Sequence, residues 1–297
     1  MAVQRELLQL SHKTLSHENP WLTATGSQIQ AHWIEQMRAQ PDSSFFVFDM
    51  DDTLTETLLR WVKFMVRTIY GGKDLASHLD RILQSNNPFG LLRKEFGDEK
   101  FTELEQYLRF SRWGNSYGKP VDPAIPELLA HVLERDGNVL GVLTARPDTP
   151  EVIQHTHSWI QQQELLADLP LYHAPAALNH AQTQVWKVDD VLGNVRKATD
   201  NSPLMLIDDS VSTAARVEQW NRDHTDYLPI IQILLETSLT QVAIAEKYPA
   251  LQKGQSFGVF VAKNWSQIPA EVHKARVWFE DVKNSRTNHG GRNSPVR

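Results

Sequence analysis

Apolar residues along this chain fall into two patterns, short continuous runs and stripes at spacings of three and four. Runs such as FFVF and LMLI, each followed directly by acidic residues, predict β-strands buried on both faces. The segment after Thr55 instead carries a helical stripe, which ends before Gly71-Gly72 and consists of Leu58, Trp61, Val62, Met65, Val66 and Ile69. The two patterns alternate along much of the chain.

The patterns predict six strands and ten helices. The strands are predicted at 45–48, 138–144, 169–174, 203–207, 227–235 and 257–262. The helices are predicted at 29–40 with Thr25 or Ser27 as the cap, 73–85, 88–96, 98–111, 126–137, 151–165, 187–199, 211–222 and 269–283, besides the stripe after Thr55. Strands that alternate with helices of this length predict an α/β fold with three layers, a Rossmann-like parallel sheet and an inserted α-helical cap.

Breaks in these patterns predict the division of the chain. Residues 1–43 form an N-terminal helical extension, 44–56 and 120–283 the α/β core, 57–119 the helical cap, and 284–297 a polar, Gly-rich tail that we expect to be disordered. The stretch GNSYGKPVDPAIP, at 114–126, clusters Gly, Ser and Pro and is the best candidate for a hinge, with a second one near Thr55.

Composition excludes several classes of site. The 297 residues include no cysteine, which excludes disulfides, zinc–thiolate sites and thiol nucleophiles and is typical of a reducing compartment. We expect a cytoplasmic protein without a membrane partner, because the N-terminus has no secretory pattern and no apolar run approaches the ~18 residues of a membrane span. Oligomeric state is not predicted.

Charge is distributed unevenly. The whole chain has a net charge of −6, which does not favour general binding to nucleic acid. Residues 57–119, however, hold 11 Lys/Arg and 7 Asp/Glu, so this segment carries +4 and the remainder −10. A basic segment on an acidic body suits an anionic substrate, and Arg60, Arg67 and Arg112 are candidates to contact one, although a solvated helical surface explains the same count.

Polar residues with chemical potential follow three of the predicted strands. Asp49 and Asp51 follow the first, Thr144 ends the second, and Asp208-Asp209 end the fourth. Ligands of open parallel sheets bind beyond the carboxyl ends of the strands, where these side chains should meet. Several like charges in one place are costly unless a cation or a hydrogen-bond network lies among them. Hard oxygen ligands favour Mg²⁺ together with a substrate phosphate.

Each of these motifs, taken alone, is also compatible with a different structure. Asp49-x-Asp51 is typical of a solvated acidic turn, and it begins like an EF-hand loop. The EF-hand fails because its sixth position would be Leu54 and its twelfth Arg60, where Gly and Glu are required. Receiver-type folds place an acidic pair first and a lysine last, whereas an Asp pair closes the series here. The twelve histidines are interpreted as structural or solvated, since His155 and His157 are two apart and face different sides of a helix.

The motifs VFDMDDTL, VLTAR, Lys187 and LMLIDDS, in this order, resemble the four motifs of the haloacid dehalogenase superfamily of aspartyl-phosphate phosphatases. The resemblance covers roughly residues 44–54 and 120–235, and Asp52 stands where that superfamily often has Gly. The resemblance implies that Asp49 is the nucleophile and that Asp51 is the general acid and then the base. It also implies that Mg²⁺ is held by Asp49, the backbone carbonyl of Asp51, Asp208 and, from a second layer or through water, Asp209.

The remaining roles also come from the resemblance. Thr144 and Lys187 would orient and neutralise the phosphoryl group, and Thr53 would complete the phosphate-binding group by bracing its loop. The implied function is a Mg²⁺-dependent phosphomonoester hydrolase that forms an aspartyl-phosphate. Its alternatives are a phosphotransferase or phosphomutase with the same site, or a non-catalytic binding protein.

The expected substrate is a phosphorylated small molecule or nucleotide. The stretch LTARPDTPEVIQHTHSWI is similar to the second-motif region of polynucleotide-end phosphatases in the same superfamily, which adds a nucleic-acid end as a possible substrate. The acidic body argues against long nucleic acids.

Overall fold

The computed structural model describes residues 19, 21–71, 74–116, 119–122, 125, 137–162, 167–247 and 257–290. Within these ranges the chain forms six strands. They are β1 (Ser44–Phe48), β2 (Gly137–Pro147), β3 (Leu171–Ala174), β4 (Leu204–Asp208), β5 (Ile230–Leu235) and β6 (Val259–Ala262). None of the helices in the described ranges is both long and apolar enough to cross a membrane.

All six strands are parallel and lie in the order β3-β2-β1-β4-β5-β6. β1 is central: it pairs on one side with β2, where the register shifts between Phe46 and Val47, and on the other with β4, where Phe48 is opposite Ile207. The chain therefore moves outward in one direction from β1 to β3 and in the other from β4 to β6. In open sheets of this kind, the crevice where the order reverses is the usual binding position, and here it lies between β1 and β4.

Both faces of the sheet are covered. Phe45 and Val47 of β1 belong to one hydrophobic cluster, while Phe46 and Phe48 belong to a second cluster on the opposite face. This division follows from the pleat, because successive side chains of a strand point to opposite faces. β1 is buried along its whole length, so both of its faces need apolar residues. The predicted three-layer α/β architecture is confirmed.

The helices form the outer layers and the insert. They are α1 (Gly26–Ala39), α2 (Leu58–Tyr70), α3 (Leu75–Leu83), α4 (Pro88–Phe96), α5 (Asp98–Phe110), α6 (Arg112–Ser116), α7 (Pro150–Ile160), α8 (His180–Val185), α9 (Gly193–Ala198), α10 (Val211–Asp223), α11 (Gln241–Lys247) and α12 (Ile268–Gly290). A π-helical segment, Trp186–Leu192, joins α8 to α9, and a 3-10 turn, Trp265–Gln267, precedes α12. α1, the π-helical segment, α9, α10 and α11 contribute to the first cluster, and α7 and α12 to the second.

Helices α2 to α6 lie between β1 and β2 in the chain, and we call residues 57–119 the helical insert. They share a third hydrophobic cluster, to which α2 contributes Val62, Met65 and Val66 from its predicted stripe. α2 ends at Gly71, whose φ of 61° is the left-handed conformation that favours glycine at a helix C-terminus. Among the described residues, Leu239 is the one member of this cluster from outside the insert, so the insert has an apolar core formed mainly by its own residues.

Several details differ from the sequence prediction. The disordered tail predicted from 284 is wrong for the first seven residues, because α12 continues to Gly290. The plain helix predicted at 187–199 begins with the π-helical segment, and α6, α8 and α11 were not predicted. α7 ends at Ile160, and the rest of that predicted helix lies partly outside the described residues. The helix predicted at 126–137 and the start of the N-terminal extension lie largely outside the described residues, as do five of the thirteen residues of the hinge predicted at 114–126.

Candidate active site

The carboxyl ends of β1 and β4 bring the first and last acidic motifs together. The backbone N–H of Asp49 donates to the carbonyl of Ile207 at 2.8 Å, so the ladder between the two strands continues one residue past β1. Asp208 is the last residue of β4, and both carboxyl groups are buried. One side-chain oxygen each of Asp49, Asp208 and Asp209 lies within 4.8 Å of the other two. Among the described residues, this is the one cluster of three or more acidic, histidine or cysteine side chains that could hold a metal ion.

Lys187 forms ion pairs with two members of this group. Its Nζ donates to Oδ1 of Asp49 at 2.5 Å and to Oδ2 of Asp208 at 3.2 Å. The side chain is 2% exposed, and it comes from the π-helical segment rather than from a regular helix. Segments of this kind are frequent at functional sites because they displace a side chain from the regular helical position. We call Asp49, Asp208, Asp209 and Lys187 the acidic site.

The acidic site carries more negative than positive charge. Burial raises the pKa of Asp49 to about 7, an effect that Lys187 opposes and Asp208 strengthens. Burial also raises the pKa of Asp209 well above its ordinary value, with the nearby carboxylates adding to the effect. The pKa of Lys187 is raised despite its burial, because Asp208 and Asp49 stabilise the ammonium. Three carboxyl groups with one lysine are an arrangement that a further cation would stabilise.

The loops around the acidic site are fixed by hydrogen bonds. The backbone N–H of Asp209 donates to Oγ1 of Thr53 at 3.1 Å, and that of Ser210 donates to Oδ1 of Asp208 at 2.6 Å. Trp265 Nε1 donates to the carbonyl of Thr53 at 3.0 Å, and its ring stacks on Phe48. Thr53 therefore joins the first acidic loop to the second, and its predicted role in phosphate binding stays a prediction.

Asp51 forms its ion pair with Arg146. Its carboxylate accepts from Nε of Arg146 at 3.0 and 3.2 Å and from Nη2 at 2.6 Å. Although burial by itself favours the neutral acid, Arg146 holds the pKa of Asp51 below its ordinary value. The intervening residue, Met50, is buried in the second hydrophobic cluster. The two acids predicted to be catalytic thus lie in opposite electrostatic surroundings.

Arg146 also contacts the helical insert. Nη2 donates to Oγ1 of Thr57 at 3.1 Å, and Nη1 donates to the carbonyl of Asn115 at 2.7 Å. We call Asp51, Arg146, Thr57 and Asn115 the arginine junction. Arg146 belongs to the quoted motif VLTAR, but no role was predicted for it, because its partners are distant in the sequence.

Asp52 has a third environment. Its φ is 58°, a left-handed conformation that glycine adopts freely and Asp tolerates better than most residues. This conformation explains why the position is compatible with Gly in the resembling superfamily. Oδ1 accepts from the backbone N–H of Leu58 at 2.8 Å, so the carboxyl group caps α2, while burial raises its pKa to about 7.

Thr144 is fully buried in β2, and its Oγ1 accepts from the backbone N–H of Arg146 at 3.2 Å. The structure therefore shows the hydroxyl bonded within its own strand, and the predicted contact with phosphate stays a prediction. His173 lies opposite Thr144 in β3, and burial lowers its pKa to about 3. Its Nδ1 is 3.3 Å from the carbonyl of Arg146, which fits the structural role expected for the histidines.

Arg60 is a further residue near the arginine junction. Burial lowers its pKa, with Arg146 adding to the effect and Asp51 opposing it, which places the guanidinium near both. Nη2 donates to the carbonyl of Gly114 at 2.7 Å, and the guanidinium carbon lies 4.9 Å from the centre of the Trp113 ring. Among the described residues, buried Nε and Nη1 have no hydrogen-bond partner. Arg60 was one of three arginines that the sequence offered as contacts for an anion.

Comparisons with known proteins give only distant likenesses. No protein-family model and no curated protein matches the sequence. Among solved structures, the chain is similar to a candidate phosphatase from Clostridium difficile, with 17% identity, a TM-score of 0.46, and 78% of this chain and 99% of the other covered. It is also similar to a candidate haloacid dehalogenase-like hydrolase from Burkholderia xenovorans LB400 (13%, 0.38, 79% and 99%) and to a hydrolase from Pseudomonas syringae (12%, 0.39, 78% and 99%). These values are too low to identify the family of the chain.

Proposed function

We propose that this protein is a Mg²⁺-dependent phosphomonoester hydrolase of the haloacid dehalogenase superfamily that forms an aspartyl-phosphate on Asp49. The observation that carries the proposal is the acidic site. Three buried carboxyl groups and one buried lysine, from segments distant in the sequence, lie at the carboxyl ends of β1 and β4. The sheet order reverses between these two strands, which is where α/β folds bind their ligands.

The acidic site fits a hard divalent cation. Asp49, Asp208 and Asp209 offer carboxylate oxygens within 4.8 Å of one another, and their combined charge exceeds that of Lys187. The raised pKa values of Asp49 and Asp209 reflect this deficit of positive charge. Bound Mg²⁺ would neutralise phosphate oxygens and keep these carboxyl groups ionised.

The proposed reaction has two steps. An Asp49 oxygen attacks the phosphorus atom of the ester, the bond from phosphorus to the alcohol oxygen breaks, and Asp51 gives its proton to the leaving oxygen. A water oxygen then attacks the phosphorus atom of the aspartyl-phosphate while Asp51 takes its proton, which releases phosphate and restores Asp49. Lys187 balances charge on the phosphoryl oxygens in both steps, and Thr144 orients them.

Asp51 enters the first step as an acid, so it must first be protonated. In the structure it is ion-paired with Arg146, a state that suits the base of the second step better than the acid of the first. We infer that substrate binding changes the arginine junction. The helical insert is the part that can do so, acting as a cap that contacts the leaving group and excludes water.

An anionic leaving group suits the insert. Residues 57–119 carry a net +4, and Arg60 has two buried nitrogen atoms that lack a hydrogen-bond partner among the described residues. A guanidinium in this position favours a substrate with charge beyond its reacting phosphate, such as a nucleotide or a nucleic-acid end.

The test is turnover of a panel of phosphomonoesters in Mg²⁺, from p-nitrophenyl phosphate to nucleotides and oligonucleotides with terminal phosphates. We expect hydrolysis that EDTA abolishes, and a loss of ~10³-fold or more in Asp49→Asn. Asp226→Asn is the matched control, since Asp226 is exposed and precedes β5, at the amino ends of the strands. Turnover that is equal in Asp49→Asn and Asp226→Asn would contradict the proposal. Transfer of phosphate to an added alcohol in preference to water would instead identify a phosphotransferase.

A further inference from the structure

Arg146 makes more hydrogen bonds than an ion pair requires. The guanidinium is 4% exposed and donates six hydrogen bonds, three of them to Asp51. The others go to Thr57 Oγ1, the carbonyl of Asn115 and Oγ1 of Thr156 in α7. All three guanidinium nitrogen atoms are therefore used, and their directions are fixed by one rigid plane.

The partners of Arg146 lie at both ends of the helical insert. Thr57 immediately precedes α2, the first helix of the insert, and Asn115 lies in α6, its last described helix. The two connections between insert and core are also adjacent, since the backbone N–H of Glu56 donates to the carbonyl of Lys119 at 2.8 Å. One core side chain thus contacts both places where the chain passes between core and insert.

A second buried arginine shows that this pattern is not a general consequence of burial. Arg196 is fully buried, but its Nη1 donates to the carbonyls of Thr199 and Ser202, within the turn between α9 and β4. Those bonds stabilise a local turn. The bonds of Arg146 span 95 residues to Asp51 and 31 residues to Asn115.

We propose that Arg146 is a positioning residue that couples the placement of the helical insert to the orientation of the Asp51 carboxylate. A shift of the insert that moves Asn115 displaces Nη1, and because the guanidinium is planar and rigid, Nε and Nη2 move with it. The carboxylate of Asp51 then loses its bidentate partner and can turn toward a substrate. This inference rests on the proposed function for the role of Asp51, but the coupling itself is a property of the free protein.

Hydrogen–deuterium exchange of the substrate-free protein tests the coupling. In Arg146→Gln we expect backbone exchange to rise by about 10-fold in both segments, 55–62 and 111–116, with β4 and β5 unchanged. Arg146→Lys should behave like Arg146→Gln, because one ammonium cannot reach Asp51 and Asn115 together. Arg222→Gln is the control, since Arg222 pairs with Glu218 on the surface of α10. Exchange in Arg146→Lys equal to that of the unmodified protein would overturn the proposal.

Asp51→Asn provides a second variant that keeps the shape of the side chain and avoids the loss of a buried arginine. We expect exchange to rise at 111–116, although Asp51 contacts that segment only through Arg146. A rise confined to the neighbourhood of Asp51 would overturn the coupling. These measurements need no substrate, so they test the coupling independently of phosphatase activity.

Turnover supplies the readout that a purely structural role would not change. With any phosphomonoester that the protein hydrolyses, Arg146→Lys should lower kcat by about 10-fold and change KM much less, because the orientation of Asp51 affects the chemical step. A rise in KM at unchanged kcat would contradict a positioning role.

Discussion

The acidic site and the arginine junction begin at carboxylates only two positions apart and solve opposite electrostatic problems. At the acidic site, Asp49 shares one lysine with Asp208, and its pKa rises to about 7. At the arginine junction, Asp51 is the carboxylate that pairs with Arg146, and the pKa of Asp51 is lowered. Burial is similar in the two places, so the number of cations for each carboxylate decides the direction of the shift.

The difference separates two tasks. A carboxylate group that lacks positive charge can bind a metal ion and an anionic phosphoryl group. A carboxylate that is fully paired is held in place, and it can act only when its partner moves. Met50 between them is buried, and Asp49 and Asp51 have different cationic partners, Lys187 and Arg146.

The largest expected effect comes from removing the lysine. Lys187→Met leaves Asp49 and Asp208 buried without their cation, so we expect a loss of about 3 kcal/mol in the free energy of unfolding at pH 8. The loss should shrink at pH 5.5, where these carboxyl groups can take up protons. Urea denaturation at both pH values measures it, with exposed Lys100→Met as the control. A loss that does not depend on pH would mean that repulsion between the carboxylates is not its cause.

The next effect concerns His173, whose Nδ1 is 3.3 Å from the carbonyl of Arg146. The folded pKa of His173 is about 3, below the ordinary 6.5, so the unfolded chain binds a proton that the folded protein does not. The stability that this neutral imidazole contributes is complete above pH ~6.5 and is lost as the pH falls toward 3, by about 2 kcal/mol at pH 5. His173→Asn should lose less stability than the unmodified protein between pH 7 and pH 5 in urea denaturation. His273 is exposed, so His273→Asn should lose as much stability between pH 7 and pH 5 as the unmodified protein.

A smaller effect tests the third carboxylate of the loop. Asp52→Ala removes the cap of α2 and places a residue with less tolerance for φ of 58° at that position, for an expected cost of about 1.5 kcal/mol. Asp52→Asn keeps an oxygen acceptor and tolerates the same conformation, so its cost should be about 0.5 kcal/mol or less. Equal thermal and urea stability of the two variants would show that neither the cap nor the conformation matters.

The smallest effect concerns Thr53, which joins the loops of the acidic site. Trp265→Phe keeps an aromatic ring against Phe48 and removes the hydrogen bond to the Thr53 carbonyl, for about 1 kcal/mol beyond the loss of volume. Trp33→Phe is a matched control, because Trp33 is also buried but its Nε1 has no hydrogen-bond partner. If both substitutions cost the same in urea denaturation, the bond to Thr53 contributes nothing measurable.

Sequence reasoning was effective where a pattern is local. Continuous apolar runs predicted all six strands in the described part of the chain, and the acidic residues at the ends of two of them predicted that Asp49 and Asp208 would meet. The rule that parallel strands share a carboxyl edge made this possible without any knowledge of distances.

The arginine junction could not be predicted from the sequence, because it does not depend on a local pattern. The partners of Arg146 depend on how the insert packs on the core, and no periodicity along the chain records that. The π-helical turn at Lys187 and the extension of α12 to Gly290 were missed as well. The first looks like an ordinary helix in sequence, while the polar, Gly-containing end of the second is typical of a tail.

Anomalous scattering from a crystal grown with Mn²⁺ tests the central claim most directly, since Mn²⁺ accepts the same oxygen ligands as Mg²⁺. Our account predicts a single strong peak bounded by the carboxylates of Asp49, Asp208 and Asp209. Absence of a peak there at millimolar Mn²⁺, or a peak bound only by different side chains, would contradict it.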